Sequence, residues 1–241
     1  MEIIAHRGAS HDAPENTLAA ARLAWAQGAD ALECDVRLTA DGRIAVMHDA
    51  DLQRVAGAAA TVRSLRWAEL QEHDVGAWKH PRFEGERVPD LAALVATVPE
   101  DRRIFIEVKD GPATMARVAE GWEQRAGPKP RVVIITFDFA VATAAKARLP
   151  SCEVAWIVDA PAKTSLPLEA LIEKCRTAGL DALDLERSWS PAGEVVSRVH
   201  AAQLKLYVWT VDDAAEARRW RDAGVDGITT NRSAWLRAQL A

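Results

Sequence analysis

Basic residues are too few here to outnumber the acidic ones: 30 Lys and Arg stand against 35 Asp and Glu, a net charge of −5. A nucleic-acid surface needs a positive footprint, so no nucleic-acid partner is expected and a small-molecule partner is. Cysteine is scarce as well. Cys34, Cys152 and Cys175 lack metal-ligand spacing, and an odd number excludes a complete disulfide framework, which fits a reducing compartment. No apolar run is long enough to span a bilayer, so no stable membrane anchor is expected. Strand-like sequence begins at Glu2-Ile3, with no room before it for a signal peptide. A cytoplasmic protein is the expectation. Low-complexity linkers are missing, and no internal repeat is distinct enough to claim, so 1–241 reads as a single domain. Tyrosine is reduced to one residue against nine tryptophans. Of these, Trp25, Trp67, Trp122 and Trp220 fall where helical packing explains them.

What is there is a regular alternation. Short apolar strands are expected over 3–6, 31–38, 104–108, 132–137, 153–158, 182–185, 205–210 and 227–230. Helices are expected between them. The first runs through Gln27 from an N-cap at Asn16 or Thr17, with Gly28 closing it. Others cover 90–98, 113–125, 140–148, 168–178, 193–202 and 214–223. Eight strands alternating with helices imply parallel βαβ units, and the predicted fold is an α/β (β/α)8 barrel. An open doubly wound sheet is the alternative, disfavoured because no glycine fingerprint opens a helix after the first strand. Two features depart from the alternation. Asp41-Gly42 predicts a hairpin returning over 44–48, and 51–88 is too long for an ordinary βα connection, so it reads as an insertion shaping the mouth, with a short helical piece over 67–72.

The chemistry-bearing residues gather at strand ends, where barrel enzymes keep their sites. Within ALECDVRL, Glu33 and Asp35 are two apart, so both face one side of the sheet. Two carboxylates on one buried face repel each other unless a cation lies between them. Oxygen-only ligands suit Mg²⁺ or Ca²⁺. The returning hairpin strand delivers His48 to the same end. IIAHRG adds His6 and Arg7, and IFIEVK adds Glu107 and Lys109. One divalent cation on Glu33, Asp35 and Glu107 leaves the site negative, so Arg7 and Lys109 are needed to accept a phosphate monoanion. His6 and His48 supply acid and base, since imidazole titrates near neutrality; which histidine does which is open. Asp49 could orient His48, although neighbours on an extended strand face opposite ways.

Plainer readings compete. Arg37 could pair with Glu33 or Asp35, and Arg7 and Lys109 could serve only as structural counterions. Trp209 could be core. His11, His73, His80 and His200 read as loop or helix-surface residues. Asp184 and Glu186 form a weaker strand-end pair left outside the site, and Asn231 is expected to cap the last helix.

AHRGAS followed by APENT, then ECDVRLTADGRIAVMHDADLQR, IEVK and VWTVDD, resembles the glycerophosphodiester phosphodiesterases, with matching segments from Ile3 to about Asn231. The resemblance implies a TIM barrel, a small substrate-selecting insertion, and hydrolysis of a glycerophosphodiester to sn-glycerol 3-phosphate and an alcohol, in lipid and glycerol metabolism. It implies a glycerol hydroxyl or water attacking in line between the two histidines, and pocket-lining roles for Asn16 and Trp209. Ala58-Ala59-Ala60 departs from the more polar turn of relatives, and Asn231 stands where many carry an acid. Two alternatives stay open: a lysophospholipase D-like phosphodiesterase releasing a cyclic phosphate, and a non-catalytic barrel binding a phosphate ligand.

Overall fold

A strand covered on both faces reads as a continuous apolar run, and β-branched residues favour it. The chain builds its barrel from such runs. The computed structural model describes residues 1–124 and 131–241. In order, the strands are β1 (Glu2–Ala5), β2 (Ala31–Leu38), β3 (Ile44–Val46), β4 (Asp51–Leu52), β5 (Ala58–Thr61), β6 (Arg103–Val108), β7 (Arg131–Thr136), β8 (Glu153–Val158), β9 (Ala182–Glu186), β10 (Lys205–Trp209) and β11 (Gly227–Thr230). The helices are α1 (Leu18–Ala26), α2 (Gln53–Ala56), α3 (Trp67–Leu70), α4 (Leu91–Val95), α5 (Pro112–Gln124), α6 (Phe139–Arg148), α7 (Leu168–Thr177), α8 (Ala192–Ala201), α9 (Ala214–Ala223) and α10 (Ser233–Leu240). The expected end of the third long helix at Arg125 lies outside the described residues.

β1, β2 and β6 to β11 pair in parallel, and β1 bonds to both β11 and β2, closing an eight-stranded ring. An open sheet would leave two of these strands unpaired on one side. The interior is filled by Ile4, Ala31, Phe105, Val133, Ile135, Ala155, Ile157, Ala182 and Tyr207. Small residues make space for the two rings, which meet edge to face with centroids 5.0 Å apart. At Gly227 a Cβ would lie 2.9 Å from the Tyr207 ring, so only glycine fits there. Below the rings, Arg103 pairs with Glu2 at 3.1 Å and Glu153 at 2.8 Å. Tyr207 donates a short hydrogen bond to Glu153, and Lys205 Nζ lies 2.6 Å from the same carboxylate. Outside the ring, a larger apolar layer including Leu32, Ile104, Ile106, Leu171 and Trp220 packs strands against helices.

One part of the ring differs. β1 pairs only with Ala31 and Leu32 of β2, whereas β3 pairs antiparallel with Val36 to Leu38. Since β6 occupies the other edge of β2 from Ala31 to Val36, β1 and β3 share one edge at different heights. The hairpin strand ends at Val46, two residues before the expected limit. Met47 N still donates to Asp35 O at 2.9 Å. The His48 carbonyl is instead taken by Arg37, at 2.9 and 2.7 Å, which draws the chain out of the ladder. The 51–88 stretch folds back over this side with its own small core, including Leu52, Val55, Val62, Leu70, Val75 and Val88 against Met47. Ala58-Ala59-Ala60 lies in β5, paired with β4, and the helical piece stops at Leu70.

Candidate active site

Period-2 geometry turns Glu33 and Asp35 into the barrel mouth together, and the parallel register sets Asp35 beside Glu107. One ligand atom from each of the three lies within 4.8 Å of the others, and all three residues are buried. Glu33 Oε1 and Asp35 Oδ1 have no hydrogen-bond partner among the described residues. Burial, then the charges of Asp35 and Glu107, push Glu33 well above the ordinary carboxylate range. Burial and Asp35 push Glu107 up to about 7, against the pull of Lys109. Burial acts on Asp35 in the same sense, but Arg7, Lys109, His48 and the Asn16 amide reverse it and hold Asp35 well below that range. A mutually repelling, all-oxygen set with unmatched buried oxygens is what a hard divalent cation requires. The donor set fits one.

Two cations flank the carboxylates. Lys109 Nζ lies 2.7 Å from Glu107 and 3.2 Å from Asp35. Arg7 Nε is 3.1 Å from Asp35 Oδ2, as an ion pair out of hydrogen-bond alignment. The Arg7 backbone N–H donates to Glu33 Oε2 at 2.9 Å, and Arg7 itself lies in the left-handed region at a φ of 57°. Gly8 follows, where a Cβ would sit 2.7 Å from Ala20. Glu15 holds Arg7 Nη1 at 2.9 Å, and Arg54 from the insertion binds Glu15 with two nitrogens at 2.8 Å. Asn16, expected to line the pocket, has both ends of its amide on Asp35, at 2.8 and 3.3 Å. Arg37 pairs with Asp110, not with Glu33 or Asp35.

Each histidine has a fixed tautomer. Asn231 Nδ2 donates to Asp212 at 2.6 Å, so its Oδ1 faces His6 and accepts from Nδ1–H at 2.7 Å. The lone pair of His6 is then on Nε2, 3.9 Å from Glu33. Burial, and then Arg7, lower the His6 pKa to about 4. His48 Nδ1 donates to Asp49 at 2.7 Å, so the neighbour is the orienter after all, because His48 has left the strand. Burial lowers the His48 pKa too, with Asp35 and Asp49 opposing. Asn231 does not cap the last helix. The N-cap of α10 is Arg232.

His6, Arg7, Glu33, His48, Glu107 and Lys109 line one cavity of about 150 Å³ together with Phe137, Asp184, Trp209 and Thr210. Trp209 is both wall and packing: its indole donates to the Asp184 carbonyl at 3.1 Å and meets Phe137 edge on at 5.4 Å. A larger hollow of about 490 Å³ under α4 and α5, outside the barrel, holds none of the residues of this site. Sequence reasoning missed Glu15, Asp212 and Phe137 and misread Asn231. Its one available signal was position, since all four sit in or beside segments that follow barrel strands.

The model of the Glycerophosphoryl diester phosphodiesterase family matches residues 6–234. The chain belongs to that family. It is therefore an enzyme, a glycerophosphodiester phosphodiesterase by class. Among its relatives, Bacillus subtilis YhdW is 31% identical, with 96% of this chain and 94% of that one covered. A glycerophosphodiester phosphodiesterase of Caldanaerobacter subterraneus subsp. tengcongensis is 30% identical over 95% and 93% of the two chains. Among solved structures, a phosphodiesterase of Oleispira antarctica in complex with the product sn-glycerol-3-phosphate is 27% identical, with a TM-score of 0.90 over 100% of this chain and 96% of that one. No helix among the described residues is long and apolar enough to cross a membrane.

Proposed function

We propose that this protein hydrolyses glycerophosphodiesters to sn-glycerol 3-phosphate and an alcohol, with one divalent cation, Mg²⁺ or Ca²⁺, on Glu33, Asp35 and Glu107. The observation that carries the reading is the cluster of three buried carboxylates whose ligand atoms lie within 4.8 Å, flanked by Arg7, Lys109 and two histidines. The product complex of the Oleispira relative supports the product. When bound, the cation draws charge from a phosphate oxygen and offsets the carboxylates. Arg7 and Lys109 bind and orient the other phosphate oxygens, with Trp209 packed against the organic part of the substrate. Asn16 positions Asp35.

His6 is the base and His48 the acid. His6 is neutral at pH 7, with its lone pair on the Nε2 that faces Glu33. His48 has a carboxylate behind it, and Asp49 stabilises the imidazolium. His6 takes a proton from the attacking water as the new P–O bond forms, so the water oxygen stays on the phosphate of glycerol 3-phosphate. His48 gives its proton to the alkoxide as the old bond breaks. All the groups belong to one unit, 1–241, which we take as a single domain with an insertion over 51–88.

The test is release of glycerol 3-phosphate from glycerophosphocholine by metal-stripped protein, with Mg²⁺ or Ca²⁺ added back and products identified by phosphorus NMR. Restored release is expected. Full activity after stripping would overturn the metal requirement, a cyclic phosphate as end product would favour the internal-attack reading, and no release from folded protein would remove the substrate.

A further inference from the structure

Asp184 projects from β9 into the cavity, yet no step above uses it. It is 2% exposed, and its Oδ1 is buried without a hydrogen-bond partner among the described residues. Its register partners, Ile157 on β8 and Tyr207 on β10, give it nothing, since the Tyr207 hydroxyl is spent on Glu153 at the barrel floor. The backbone carbonyl of Asp184 is held by the Trp209 indole, which fixes the residue beside the cavity wall. Glu186, two residues on, makes the contrast: its carboxylate is satisfied by the backbone N–H and hydroxyl of Ser188. A buried polar atom left unmatched costs about 1–3 kcal/mol, and native proteins retain few of them without a reason.

The chemistry around Asp184 narrows what would match it. It is not one of the three carboxylates clustered within 4.8 Å, so it stands beside the cation set and not in it. The phosphate oxygens belong at Arg7 and Lys109, the two cations that line the cavity. The uncharged part of the diester is what remains, and its donors are hydroxyls. We infer that Asp184 is a specificity-determining residue that binds a hydroxyl at the glycerol end of the substrate, beside the Trp209 indole that packs on its carbon skeleton. This rests on the phosphodiesterase reading above.

The experiment compares kcat/KM of wild type, Asp184→Asn and Asp184→Leu on glycerophosphocholine, glycerophosphoethanolamine and 2-hydroxypropyl phosphocholine. The last lacks the terminal hydroxyl; the 2-hydroxyl is kept so that attack by water and attack by that hydroxyl are equally open to every substrate. A site with a buried polar group rejects an analogue that leaves it unpaired. Wild type is expected to prefer glycerophosphocholine to the deoxy analogue at least ~10-fold, Asp184→Leu to abolish that preference, and Asp184→Asn, which keeps an acceptor of the same shape, to retain part of it. An unchanged preference in Asp184→Leu overturns the inference. So does a loss that follows the head group and not the terminal hydroxyl, which would assign Asp184 to an ammonium. If Asp184→Leu fails to fold, wild type and Asp184→Asn decide: an active wild type indifferent to the hydroxyl removes this inference alone. A folded, metal-loaded wild type inactive on all three substrates removes the phosphodiesterase reading and this inference with it.

Discussion

Between His6 and the Asp212 carboxylate stands a neutral amide, which leaves burial, and then Arg7, to keep the histidine uncharged. Asn231 accepts from His6 without stabilising its cation as an acid would. Replacing Asn231 by Asp places a carboxylate on Nδ1 and raises the His6 pKa from about 4. More of the base is then protonated at any given pH, so the acidic limb of the kcat/KM profile is expected to move up by about 1 unit or more; an unmoved limb would count against His6 as the base. His6→Ala and His48→Ala should each lower kcat by at least roughly 100-fold with the melting temperature nearly unchanged. Near-normal turnover in both would defeat the acid–base assignment. At this scale the sequence disclosed residues that announce their chemistry: acids two apart in an apolar strand, histidines at strand ends. It hid Asn231, Asp212 and Glu15, whose roles depend on partners such as His6, 225 positions from Asn231 in the chain.

Elements were legible where a period was long enough to read. All eight barrel strands alternate with helices, the helix that follows β2 coming after the 51–88 excursion, and closure followed from their number. The β2–β3 hairpin was marked by Asp41-Gly42, with Gly42 at a φ of 76°. What periodicity could not show was the end of β3, because a side chain, Arg37, and not a turn, takes the His48 carbonyl. Nor could it show how the 51–88 stretch meets the site. That link is Arg54, which joins Asp49 at 2.7 Å and Glu15 at 2.8 Å and so ties the insertion to both His48 and Arg7. Arg54→Ala should loosen both and raise KM for glycerophosphocholine several-fold with a smaller change in kcat. Initial-rate kinetics check this, and an unaltered KM would show that the insertion stays in place without the link.

For the molecule as a whole, the carboxylate cluster couples folding to pH. Glu107 titrates at about 7 in the folded chain, against 4.5 unperturbed. The folded state therefore holds a proton that the unfolded chain has lost, and this stability, present below pH 4.5, is lost as pH rises through about 7. The shift is worth about 3 kcal/mol, at about 1.4 kcal/mol per pKa unit. Metal-stripped protein is expected to lose denaturant resistance between pH 5 and 8, and Glu107→Gln to lose much less of it. Urea midpoints across that range check this, and parallel curves for the two proteins would refute it. Added Mg²⁺ or Ca²⁺ should restore more at pH 8 than at pH 6, because ligands must shed protons to bind.

Beneath the chemistry, Arg103, Glu2, Glu153 and Tyr207 close the barrel from below, under the rings of Phe105 and Tyr207. Among the described residues side chains fill the floor of the chamber, which makes the mouth its doorway. Substrate and water must arrive through the opening by which both products depart, and nothing drains through the back. Whichever half of a cleaved molecule was pushed in furthest is the last one out.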